Sequence, residues 1–293
     1  MIGYIFAFIS SLFFILYVVP RKFSKQSPII FSFFMAVAFF IGSLFLYLLK
    51  PILHFQETPN KALLLLIVAG VIWAAGFVAF LKSIDLSGLT RSNQWKNLQG
   101  PIGVLLSLLI LSEYTVVNSF YVILAGFTVF FSALFFAISE SKTERKSNLK
   151  GIYFAVLSAF AFGIVTVINK FVTVNVGVYS QQVVWSLSIA LSLLAYIIFQ
   201  RKLADLRKAA MKDFSLGFIA GMLYLGASFF MLQSYKLLPA SIAFTIIQLN
   251  AVWTIGIGLF VFKEIDFKKH SFRIILGLIF AIIGIAILAF ANK

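Results

Sequence analysis

Apolar runs of membrane-spanning length, each ended by a short polar or proline-bearing break, follow one another from end to end of this chain. A hydrocarbon core about 30 Å thick is crossed by about 20 apolar residues in a helix. That spacing predicts ten transmembrane helices, at 2–20, 28–49, 61–82, 88–112, 116–138, 149–171, 178–199, 214–235, 239–262 and 271–291. Inside lipid every backbone N–H and C=O must be bonded within the protein, so the expected fold class is all-α integral membrane. No stretch is left over for a soluble domain. The first run has no basic segment before it and no small-residue cleavage pattern after it, so it reads as a retained helix.

The pattern also repeats. Gly3, Phe6, Ala7, Ser10, Phe14, Val19, Lys22 and Phe23 recur as Gly151, Phe154, Ala155, Ser158, Phe162, Val167, Lys170 and Phe171. Gly70, Leu81, Ser83, Leu86, Leu98 and Glu113 recur as Gly221, Leu232, Ser234, Leu237, Leu249 and Glu264, with Trp73 matched by Tyr224. Ser119, Phe120, Ile123 and Leu124 recur as Ser271, Phe272, Ile275 and Leu276. The nearly constant spacing carries more weight than any one identity. It predicts two five-helix repeats, 1–138 and 149–293, joined by a cytoplasmic linker, 139–148. An odd number of spans per repeat makes the second half enter the membrane from the opposite side. Such inverted pairs build secondary transporters around a midplane site, with alternating access to it.

Composition narrows the class further. A chain of 293 residues that is 62% hydrophobic and 11% charged, with a mean hydropathy of +1.05, lies outside the range of soluble domains. Its net charge of +15 is explained by the positive-inside bias without invoking nucleic acid. Of the 24 Lys and Arg, all but Lys50, Lys61, Lys170, Lys236 and Lys293 fall in or beside loops that follow odd-numbered spans. That bias places both termini outside the cell membrane and the loops 139–149 and 200–213 in the cytoplasm. No cysteine is present, which excludes disulfides and thiol metal sites. His54 and His270 stand in loops without ligand-spaced partners, so no metal is expected.

Several activities lack their residues. None of the nine carboxylates falls at mid-membrane, against an intramembrane enzyme. No glycine loop precedes a Lys-Ser or Lys-Thr pair, against a nucleotide-driven pump. The first span offers Ser10 and Ser11 but no carboxylate, against a proton-coupled exporter of bulky cations. Glu113 and Glu264 close spans 4 and 9 near the expected surface and read as structural.

Polar residues inside spans face a bundle interior or a cavity, and here they crowd span 4. Ser92, Asn93, Gln94, Lys96, Asn97 and Gln99 precede Gly100 and Pro101. At helical spacing Ser92, Lys96, Gln99 and Gly103 share a face, with Asn93, Asn97 and Gly100 beside them. Pro101 lacks an N–H and clashes with the carbonyl of Asn97, so a kink is expected. The repeat sets Asn97 against Gln248 and Gln99 against Asn250. Amides offer both donors and acceptors to a hydroxyl-rich solute, and Trp73, Tyr224 and Trp253 offer flat walls. Asn169 is a further candidate near the end of span 6. Lys96 either reaches an anionic solute or snorkels to the cytoplasmic surface. Trp185, Gln181 and Gln182 read as packing and interface anchors.

These features resemble the drug/metabolite transporter superfamily: two inverted fives with an acid closing spans 4 and 9. Trp73-Ala74, the run Leu81-Lys82-Ser83-Ile84-Asp85-Leu86, Gly88, Arg91 and the end of span 2 through Lys50-Pro51 are similar to the bacterial glucose/ribose uptake porters. The resemblance implies inward, proton-linked sugar transport through a cavity between spans 1, 3, 4, 6, 8 and 9. The polar run Asn93–Gln99 departs from those porters and leaves the substrate open. The expected function is therefore carriage of a small polar solute, a monosaccharide first. The alternatives are an exporter of amino acids or related metabolites and, from another class, a sensor or scaffold. No cofactor is expected beyond a coupling proton, and the oligomeric state is not legible.

Overall fold

The computed structural model describes residues 1–49, 60–137, 149–207, 211–261 and 267–291. The expected linker 139–148, the Lys50-Pro51 pair, His54, Glu264, Lys142, Arg145, Lys146, Lys208, Lys263 and Lys293 lie outside the described residues. All secondary structure among those residues is helical.

The helices are α1 (Ile2–Leu16), α2 (Pro28–Leu49), α3 (Leu65–Ser87), α4 (Leu89–Lys96), α5 (Gln99–Ile110), α6 (Ser119–Ala137), α7 (Leu149–Asn175), α8 (Val178–Phe199), α9 (Leu203–Arg207), α10 (Met211–Leu237), α11 (Ala240–Ile247), α12 (Asn250–Phe260) and α13 (Phe267–Leu288). Among the described residues eight segments are long and apolar enough to cross a membrane, two of them counting in a 3₁₀ turn. The expected spans 2, 6, 7 and 10 correspond to α2, α7, α8 and α13. Span 1 is shorter as an α-helix than expected, because after α1 the chain tightens into a 3₁₀ turn, Val19–Phe23, around Pro20.

Spans 4 and 9 are each broken in two, α4 from α5 and α11 from α12. At the first break the carbonyl of Asn97 accepts from Gly100 N at 3.0 Å, a tight i+3 bond. Pro101, the residue that would otherwise bond it, has no N–H. The second break has no proline. It runs through successive i+3 bonds, Leu249 N to Ile246 O at 3.0 Å, Ala251 N to Gln248 O at 3.2 Å and Val252 N to Leu249 O at 2.9 Å.

Hydroxyls inside the helices bond back to the preceding turn, as Thr166 does to Phe162 O at 2.9 Å and Thr245 to Ser241 O at 2.8 Å. This satisfies them where lipid offers no partner. Between helices, close approach rests on small residues. A Cβ on Gly70 of α3 would lie 2.2 Å from Ser188 Oγ of α8, and one on Gly221 of α10 would lie 2.3 Å from Met35 O of α2. At the ends, a Cβ on Gly3 would meet Leu237 at 2.9 Å and one on Gly151 would meet Leu86 at 3.2 Å. The packing follows the same exchange. Helix α3 packs on α7 and α8, whereas α10 packs on α1 and α2; α2 meets α8, and α6 meets α13.

Candidate solute cavity

The two breaks cross. Gly100 and Gly103 let α5 approach α11 so closely that added Cβ atoms would lie 2.8 Å from Gln248 and 2.7 Å from Phe244. At the crossing Gln99 Nε2 donates to Gln248 Oε1 at 3.2 Å, both side chains buried. The repeat mates of these residues, Asn250 and Asn97, make no equivalent bond. Asn97 Nδ2 and Oδ1, Asn250 Oδ1 and Gln248 Nε2 are buried without a protein partner among the described residues. Buried polar groups are normally paired, so the crossing holds an unusual reserve of unmet hydrogen bonds.

Beside it lies a narrow central cavity. Its polar lining is Lys96, Gln99, Thr166, Asn169 and Asn250, and its aromatic walls include Tyr17, Trp73, Phe162, Trp185 and Tyr224. The volume open to the centre of a water molecule is ≈ 40 Å³, room for about three waters. A solute of metabolite size requires the walls to part.

Tyr224 anchors the aromatic wall. Its ring centroid lies 4.9 Å from Phe39, 5.0 Å from Tyr17 and 5.0 Å from Trp73, while Trp73 stacks on Phe77 at 4.7 Å. Such offset and edge contacts hold rings rigidly. Asn169 is fixed by Gln181, whose Nε2 donates to Asn169 O and Oδ1, both at 3.0 Å. Asn169 Nδ2 has no protein partner among the described residues.

Lys96 is 4% exposed and does not snorkel to the surface. Its Nζ sits 4.9 Å from the centroid of the Phe80 ring, a cation–π contact. Among the described residues it makes no ion pair.

Of the expected site residues, Trp73, Lys96, Gln99, Asn169, Tyr224 and Asn250 line this cavity. Asn97 and Gln248 are at the adjoining crossing. Asn93 is drawn away, its Nδ2 donating to Thr254 Oγ1 at 3.3 Å. Trp253 turns toward α1, where Nε1 donates to Ser11 Oγ at 2.9 Å. Trp185 and Tyr17 line the cavity without having been expected there. Gln181 and Gln182 are buried bonding partners, of Asn169 and Ser228, instead of interface anchors.

Glu113 is buried, not superficial. Its two carboxylate oxygens accept from Ala240 N at 2.6 Å and Ser241 N at 2.9 Å, capping α11 from the other half of the chain. Lys170 Nζ closes the preceding helix, donating to Tyr235 O and to Leu238 O at 2.7 Å. An acid at one helix start and a base at the other helix end complement both dipoles.

Residues 149–290 match the model of the EamA-like transporter family. No curated protein matches the chain. A solved structure described as a crystal structure of a protein has the same fold, with a TM-score of 0.73 at 11% identity, covering 98% of this chain and 96% of its own.

Proposed function

We propose that this chain is an alternating-access carrier of a small polar solute, built from two inverted five-helix halves. The observation that carries the proposal is the crossing of two broken helices, one from each half, beside a cavity lined by repeat-matched side chains. The exchange of neighbours between α3 and α10, and the matched contacts at Gly3 and Gly151, are what an inverted pair generates. The EamA-like domain supports the same reading.

The amides supply a switch. In an inverted pair the opposite-facing state is reached when each half takes up the other's conformation. Gln99–Gln248 then opens and its mate, Asn97–Asn250, closes. One bond replaces another of the same kind, each worth only about 0.6 kcal/mol inside a membrane protein, so the exchange presents little barrier of its own.

Lys96 favours an anionic solute. A buried cation with no counter-charge is costly, and a solute carboxylate would complete the pair while the aromatic wall takes an apolar body. An amino acid or related carboxylate metabolite therefore fits better than a neutral sugar. A monosaccharide is the second reading, favoured by the amides and by Trp73 and Tyr224. Uptake of radiolabelled amino acids and sugars into proteoliposomes, with and without a pH gradient, separates the two. The expected result is saturable amino-acid exchange that falls by more than about tenfold in Lys96→Met, the loss of one strong charge-assisted contact. Sugar uptake that survives Lys96→Met would favour the second reading, and tight solute binding with no flux would make the protein a sensor.

A further inference from the structure

A second, larger concavity lies on the outside of the bundle. It is a groove of ≈ 590 Å³ between α1, the α11–α12 break and α13, lined by Ile5, Phe8, Leu249, Trp253, Ala281 and Ile282 among others. Its rim is continuous with the apolar outer surface of the spanning helices: Ile5 and Phe8 are each 47% exposed and Ile282 69%. Its floor is the break itself, Ile246 and Leu249, both buried. One broken strand of backbone thus separates the groove from the solute cavity, because Ile247 and Asn250 face the other way.

In the first half the matching helices pack more tightly, and the reason is in the sequence. There α7 seats directly on α5: a Cβ on Gly163 would lie 2.6 Å from Ile102 and 3.4 Å from Gly103 N. By the repeat offsets Gly163 corresponds to Ile15, Ile102 to Trp253 and Gly103 to Thr254. Larger side chains hold α1 off α12, and Phe8 meets Trp253 edge-on at 5.4 Å across the gap.

A space of this size cannot remain empty without forfeiting the dispersion contacts of its walls. Water finds almost no partners on an apolar lining and stays out. The surrounding medium is hydrocarbon. We infer that an acyl chain of a bilayer lipid occupies the groove between α1, α12 and α13, wedged against the α11–α12 break. Bound there, the chain braces the broken helix from the lipid side while the amides act on the cavity side.

Trp253 reports on the groove. Purified protein in detergent is titrated with brominated phosphatidylcholine, and the Trp253 signal is taken as the difference between the native chain and Trp253→Phe. The expected result is quenching of that signal that saturates at a stoichiometric lipid ratio, and loss of the saturable part in Ala281→Phe, which fills the groove. Quenching that rises only in proportion to lipid, or saturable quenching that survives Ala281→Phe, overturns the inference. Should Ala281→Phe not fold, the comparison of native chain with Trp253→Phe decides alone. If a second copy of the chain fills the groove instead, no saturable quenching occurs and Ala281→Cys copies cross-link, which also overturns it.

Discussion

Glu113 and the amide cluster behave differently although both are polar residues deep in an apolar protein. The Glu113 carboxylate has its hydrogen bonds met by the start of α11, so its contribution is to stability. Two charge-assisted caps at a buried helix start make Glu113→Ala cost about 2–3 kcal/mol. Thermal unfolding in detergent checks this, with Glu113→Gln expected to fall between the two and an unmoved midpoint for Glu113→Ala counting against the capping role. The amides keep unmet bonds, and in the proposed cycle their part is in transport. Asn97→Ala is expected to leave the unfolding midpoint near its native value while slowing exchange, because Asn97 bonds in the other state. A large loss of stability with normal exchange would show that Asn97 is structural. The amide cluster was legible because Asn and Gln stand out in an apolar run. Trp185 and Tyr17 were not, since an aromatic in a chain with 36 phenylalanines reads equally as wall, packing or lipid surface.

At the level of the helix, the proposed cycle turns on the two breaks, and one was far easier to foresee than the other. Pro101 announces the first, since proline inside a helix costs about 3 kcal/mol and leaves Asn97 O without its usual donor. Val252 stands at the matching position of the second half, so nothing in the local sequence marks the break between α11 and α12. Its cause is tertiary: Gly100 and Gly103 bring α5 against Gln248 and Phe244. Pro101→Ala permits the missing bond and a continuous α4–α5 helix, favouring one conformation over the other. Exchange is expected to fall by more than about tenfold while the unfolding midpoint holds or rises. Normal exchange would show that the kink is incidental.

For the molecule as a whole, α3 packs on α7 and α8 while α10 packs on α1 and α2, the matched contacts from which two oppositely facing halves are proposed. Gly70 and Gly221 make the point at helix centres, each pressed against a helix from the other half. Gly70→Val and Gly221→Val are therefore expected to destabilise to a similar degree, and a large loss for one with none for the other would argue against the shared architecture. The matched spacing of the two halves was legible in the sequence; the neighbours that α3 and α10 take were not, because spacing says nothing of which helices touch. The absence of cysteine permits a direct test of the central claim. Thr166, buried on α7, lines the cavity. In Thr166→Cys, reconstituted in sealed vesicles, an impermeant thiol reagent applied from either face in turn is predicted to reach the cysteine, with transported solute slowing the reaction from both sides. Labelling from one face alone, whether or not solute is present, would contradict alternating access.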